Sequence, residues 1–124
     1  MMGITCDEFG PFKIIEIWEP SINLRGTLVV DNVARGASIG GLRMAPDVST
    51  QECFRLARAM TFKNAAADLP HGGGKSVLYG DPAMPVAQKE ELVRAFACAL
   101  EEVEQYIFGP DTVSYTHLRA HETS

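Results

Sequence analysis

No apolar run in this sequence comes near the roughly 20 residues that a helix needs to cross a bilayer, so no membrane span is expected. The opening MMGITCDEFG lacks the basic start and apolar stretch of a signal peptide. Basic charge is scarce too: Lys and Arg number 11 against 16 Asp and Glu, a net charge of -5. Nucleic acids and membrane surfaces recruit basic patches, so neither is an expected partner. Cysteine is limited to Cys6, Cys53 and Cys98, an odd and widely spaced set without a C-x-x-C pair. That pattern offers neither a disulfide framework nor a cysteine-built metal site. It suggests reduced thiols in a cytoplasmic protein, with Cys53 and Cys98 as small core residues.

What is present is a globular composition, 46% hydrophobic over 124 residues, which allows one modest domain. The β-branched run FKIIEIWEP (Phe12–Pro20) predicts a strand, SINLRG a turn, and TLVVDNV (Thr27–Val33) a second strand of a hairpin. ARGASIGGLRMAP is glycine-rich and reads as irregular strand or loop. Ser49 and Glu52 have the spacing of a helix-capping box, and Cys53, Leu56, Ala57 and Met60 then recur as a buried helical stripe. Lys75–Pro82 predicts a short strand ending in a turn. Val86–Gln105 predicts a second helix with Leu92, Phe96, Leu100 and Val103 on one face. Tyr106–Phe108 predicts a buried strand. Strands alternating with two helices give an α/β expectation, a mixed sheet flanked by helices.

The stretch LPHGGGKS (Leu69–Ser76) supports three chemistries. A phosphate-binding loop needs G-x-x-x-x-G-K-[ST], and counting back from Gly74 puts Leu69 where the first glycine belongs. The strand-like SVLYGDP that follows offers no helix N-terminus to a phosphate. An esterase reading pairs His71-Gly72-Gly73-Gly74 with Gly36-Ala37-Ser38-Ile39-Gly40, a literal G-x-S-x-G. In that fold the oxyanion segment precedes the nucleophile, the elbow opens a helix, and a histidine follows. Here the order is reversed, Gly41 and Pro46 follow the serine, and the later histidines lie in a tail discussed below. In the third reading the glycines let backbone and substrate approach closely beside Lys75.

The third reading carries a resemblance. GGLRMAPDVSTQECFRLARAMTFKNAAADLPHGGGKSVLYGDP (Gly40–Pro82), with DEFGPFKIIEIWEP and LRGTLVVDNV before it and YIFGPD after it, closely resembles the N-terminal domain of the glutamate/leucine/phenylalanine/valine dehydrogenase family. The resemblance covers Asp7 to Asp111. It implies an NAD(P)-dependent oxidative deaminase of an L-amino acid, yielding a 2-oxo acid and ammonia. This stretch would be its substrate and assembly domain, forming a homo-oligomer. By the same resemblance Lys63 in MTFKNA binds the substrate α-carboxylate, Lys75 in GGGKS and Asp111 in GPD are catalytic, and Gly40-Gly41 lies beside the substrate side chain. The chemistry is suitable. An ammonium pairs with a carboxylate in a closed cleft. One that stands beside a second cation, partly out of water, gives up its proton more readily, which suits acid–base work near neutral pH. His71 is expected at a pocket rim or in solvent, without a role.

Two departures from the family pattern bear on substrate and cofactor. Glutamate-specific members resemble KGG at this point, the lysine taking the side-chain carboxylate, whereas here the position is Ile39. An apolar residue there favours an apolar amino acid. The family's C-terminal Rossmann domain follows the aspartate motif, and the sequence contains no G-x-G-x-x-G. NAD or NADP would therefore belong to the parent enzyme, with none bound by this fragment, which alone is expected to be inactive. A non-catalytic assembly module is the remaining alternative. After Asp111, VSYTHLRAHET (Val113–Thr123) resembles a translated sequencing-library adapter. Residues 1–111 are thus expected to be the native domain and 112–124 a non-native tail, so the H-x3-H pair of His117 and His121 is given no metal.

Overall fold

The structure, a computed structural model, describes residues 4–108. Six strands form one mixed sheet: β1 (Lys13–Glu19), β2 (Leu24–Val30), β3 (Ser38–Gly40), β4 (Leu42–Ala45), β5 (Gly72–Tyr79) and β6 (Tyr106–Phe108). Helix α1 (Thr50–Ala66) precedes β5, and α2 (Val86–Ala99) follows it. The strand order is β1-β2-β5-β3-β6, with β4 also on β5. β1, β2 and β5 pair antiparallel, whereas β3 and β4 run parallel to β5, and β6 parallel to β3. The expected mixed sheet flanked by helices is what forms.

Alternation along β2 explains why this strand sits near the centre. Leu24, Leu28 and Val30 point to α2, where they pack with Leu78, Leu92, Val93, Phe96 and Leu100. Val29 points the other way, to a smaller cluster with Val77, Cys53 and Ala57 under α1. Both faces are covered, so β2 is buried at every position except Arg25. The strand's local signal is a continuous apolar run, as burial on two sides requires.

Several boundaries differ from expectation. Asn23, in the left-handed region at φ 57, ends a 3-10 turn at Pro20–Ile22, so β2 starts at Leu24 rather than Thr27. The glycine-rich segment is ordered strand: Ser38 pairs with Gly72 and Leu42 with Ser76, one register kept across Gly41. β5 includes the three glycines themselves. Helix α2 stops at Ala99, ahead of Glu101, Glu102 and Glu104, whose charges oppose the negative end of a helix dipole. The Ser49 cap forms, its Oγ accepting from the Glu52 N–H at 3.1 Å. The Glu52 carboxylate turns instead toward Arg43 at 3.5 Å. The buried stripe of α1 is Cys53, Ala57, Thr61 and Asn64, with Leu56 and Met60 half-buried on its flank. Cys98 is exposed, since it lies opposite the Leu92–Phe96–Leu100 face. Ile107 in β6 is exposed as well, while Tyr106 is buried.

Candidate functional site

The odd-numbered positions of β5 face α1. A side chain on Gly73 would strike the Thr61 amide and the Ala57 carbonyl, and Val77 packs with Cys53 and Ala57. Lys75 stands between these positions, half-buried. Its backbone carbonyl accepts from the Cys53 thiol at 3.2 Å. Lys63 occupies the last turn of α1 and is exposed. Ile39 is the register partner of Gly73 and is half-buried. Arg43, paired with Val77 four positions further along the same edge of β5, forms an ion pair with Glu52 of α1, so Ile39 and Arg43 share the α1 face. Ile39 and Lys75 thus share the face of the sheet that α1 covers, and Lys63 is on the exposed side of the last turn of that helix.

The charges on this face are not equally satisfied. Arg43 is engaged by Glu52, and Arg58 by Asp7 and Asp31 at 2.8 to 2.9 Å. Among the described residues, neither the Lys63 nor the Lys75 ammonium makes a hydrogen bond or an ion pair. Burial pushes the Cys53 thiol up to about 12, against the opposing pull of the Val29 amide and the Lys75 charge. Cys53 is therefore a protonated packing residue rather than a nucleophile.

Gly40 and Gly41 join β3 to β4 without a change of register along β5. The Tyr106 hydroxyl donates to the Gly40 carbonyl at 3.0 Å, and the Ser76 amide to the Gly41 carbonyl at 3.1 Å. A side chain on Gly40 would collide with the Gly74 carbonyl. The space beside Gly73 and Gly74 is filled by the protein's own groups, α1 for the first and Ser38 with Tyr106 for the second. Close approach is between strand and helix at Gly73 and between strands at Gly74, not the approach to substrate that the glycine run suggested. Buried polar side chains support the face from beneath. Asp31 accepts from Thr61 Oγ1 at 2.6 Å and from Arg58 Nε at 2.8 Å, and Asn64 Nδ2 donates to the Gly72 carbonyl at 2.8 Å. Sequence reasoning missed Tyr106 and Asn64. Each polar group lies within or beside a motif, with no local signal for its distant partner.

The hydrolase geometry fails. Ser38 is fully buried within β3 and donates to the Gln105 carbonyl at 2.7 Å, and no helix follows it. His71 holds the Ala37 carbonyl at 2.9 Å through Nδ1. GGGKS lies inside β5, ten positions before α2 begins at Val86, so it cradles no phosphate. Asp111, His117 and His121 lie outside the described residues. Among the described residues no cluster of metal-ligating side chains occurs, and no helix is long and apolar enough to cross a membrane.

Fold and site together define an α/β domain with one lysine on the strand face under α1 and a second at the end of that helix, beside a glycine pair in the strand line along β5. Residues 19–116 match the Glu/Leu/Phe/Val dehydrogenase, dimerisation domain, and the chain belongs to that family. It is 39% identical over 101 residues to a phenylalanine dehydrogenase of Caldalkalibacillus thermarum, covering 77% of this chain and 27% of the relative. It is 37% identical over 93 residues to a leucine dehydrogenase of Bacillus subtilis, covering 71% of this chain and 25% of the relative. The solved glutamate dehydrogenase of Peptoniphilus asaccharolyticus superposes with a TM-score of 0.71 at 28% identity, over 89% of this chain and 33% of that one. The chain spans about a quarter of the length of these curated relatives.

Proposed function

We propose that this chain is the substrate-binding and assembly domain of an NAD(P)-dependent amino-acid dehydrogenase, which interconverts an L-amino acid with a 2-oxo acid and ammonia. The observation that carries the reading is that Lys75 shares the α1 face of the sheet with Ile39, its ammonium without a partner among the described residues, as is that of Lys63 at the end of α1. A carboxylate about 4 Å from one ammonium gains roughly 4 kcal/mol in a half-desolvated cleft, enough to favour an anionic substrate. Lys63, on the helix end, binds the α-carboxylate. Lys75, held deeper by β5, exchanges protons with the reacting centre together with Asp111. Ile39 and the Gly40-Gly41 pair line the substrate side chain. An apolar amino acid is the preferred substrate.

A dinucleotide needs glycines at a strand-to-helix turn, with the helix end facing its phosphates. The described residues do not fit that need, because their glycine run is strand and the α1 end is closed by Ser49. The hydride acceptor belongs to residues outside this stretch. The native boundary at Asp111, the foreign origin of residues 112–124 and a cytoplasmic setting complete the reading. The gene sequence past codon 111 tests the boundary.

The catalytic assignment is tested in the full-length enzyme. Lys75→Ala lowers kcat by at least about 100-fold, the scale of a lost acid–base group. Lys63→Ala mainly raises KM. Near-normal kcat in Lys75→Ala would show that another group moves the proton.

A further inference from the structure

Asn64 follows Lys63 directly and is buried, with 4% of its surface exposed. Its Nδ2 donates to the Gly72 carbonyl of β5 at 2.8 Å and reaches the Ile39 carbonyl of β3 at 3.5 Å. Ile39 and Gly73 are opposite one another in the sheet, so this one amide lies over the seam between the two parallel strands. Its own backbone carbonyl accepts from the Leu69 amide at 2.9 Å, while the Lys63 carbonyl accepts from Ala67 at 3.0 Å. The last turn of α1, which carries Lys63, is therefore tied to the strand of Ile39 and to the strand of Lys75 by a single side chain.

This tie is not generic packing. The apolar contacts of α1 lie one to three turns earlier, at Cys53 and Ala57, where they orient the body of the helix. Asp31 holds Thr61 and Arg58 on the opposite flank of α1, toward β2. Asn64 is the polar contact made toward Ile39, at the helix end where fraying would move Lys63 most.

We infer that Asn64 is a positioning residue for substrate selection. It sets where the end of α1, and with it Lys63, stands relative to the strands of Lys75 and Ile39. The inference rests on the proposed function above. Its consequence is a split. Loss of the amide loosens the grip on the substrate and blurs the choice of side chain, while the proton transfer at Lys75 on the sheet continues.

The test compares full-length Asn64→Ala with wild type, and with Phe96→Leu as a control in the distant core under α2. For each, kcat, KM and the leucine-to-norvaline ratio of kcat/KM are measured, with melting temperature recorded. In Asn64→Ala, KM is expected to rise about 3- to 10-fold, the scale of one lost hydrogen bond. The leucine-to-norvaline ratio should change and kcat stay within about twofold. Phe96→Leu should lower the melting temperature without moving KM. Unchanged KM and ratio in Asn64→Ala, or an equal rise in Phe96→Leu at equal loss of stability, overturns the positioning role alone. Should Asn64→Ala fail to fold, Asn64→Ser, whose hydroxyl reaches at most one carbonyl, is read by the same criteria. A wild type with no amino-acid-dependent turnover overturns the function itself, and the positioning role with it.

Discussion

At Ile39 the proposed function makes its choice between two substrate classes turn on a single side chain. A glutamate side chain must be paired when it leaves water, and Ile39 offers nothing to pair with. Arg43 shares its face of the sheet but is already engaged by Glu52. Full-length enzyme is accordingly expected to favour leucine, valine or phenylalanine over glutamate. Ile39→Lys should shift the ratio of kcat/KM toward glutamate by roughly tenfold or more, measured at one pH and one cofactor concentration. A wild type that already prefers glutamate would mean that a base elsewhere takes the side-chain carboxylate.

At the scale of elements, the site depends on how closely α1 lies on β5. Gly73 makes the approach possible, since a side chain there would meet the backbone of α1 at Thr61 and Ala57. Two effects oppose one another in Gly73→Ala. Alanine is better than glycine in a strand by about 0.5–1 kcal/mol. Overpacking costs about 1–3 kcal/mol, and more when the neighbour is backbone that cannot rotate away. The clash should win, lowering stability by about 2 kcal/mol or more in urea unfolding. Equal stability would mean that α1 can lift, and the Lys63 position would then be loosely held. On the other face, Gly26 similarly leaves room for the Phe96 ring.

Two properties belong to the whole molecule. The N-terminal segment is clamped to α1 through Asp7, which Arg58 bonds at 2.9 Å. The Arg58 hydrogen bonds, with the Phe9 amide, hold the Asp7 carboxyl at about 2, below its ordinary 3.8. Between those values the unfolded chain binds the proton and the folded chain does not, so stability increases with pH there. The Asp7 contribution is present above about pH 4 and is lost as pH falls toward 2. Asp7→Asn should flatten that part of the stability curve, read from urea midpoints across pH 2–5. An unchanged slope would show that the clamp is fully screened, as its half-exposed position allows.

The second property is the free edge of β1. Phe12, Ile14 and Trp18 lie on the face that α1 leaves open, and all three are exposed. In a dimerisation domain, a second copy pairing along this edge would cover them. Trp18→Lys should shift full-length protein to smaller species by light scattering. An unaltered mass would place the interface elsewhere.

Local signals carried much of this protein. The Ser49 cap, the apolar face of α2 and the β-branched runs of β1 and β2 follow from periods and capping that act within a few residues. The motifs around Lys63 and Lys75 marked a candidate site through their resemblance to the dehydrogenase family, since a lysine alone reads equally as a solvated surface residue. Other features were decided only by the folded chain. The line of β3 and β4 along one edge of β5, the burial of Ser38, the exposure of Cys98, and the bonds of Asn64 and Tyr106 across strands all depend on partners 8 to 67 positions away. A glycine run has no side-chain period to announce a strand, and a buried amide does not reveal locally which carbonyl it will meet. Those choices are settled by packing two helices against opposite faces of one sheet, an energy shared among distant residues.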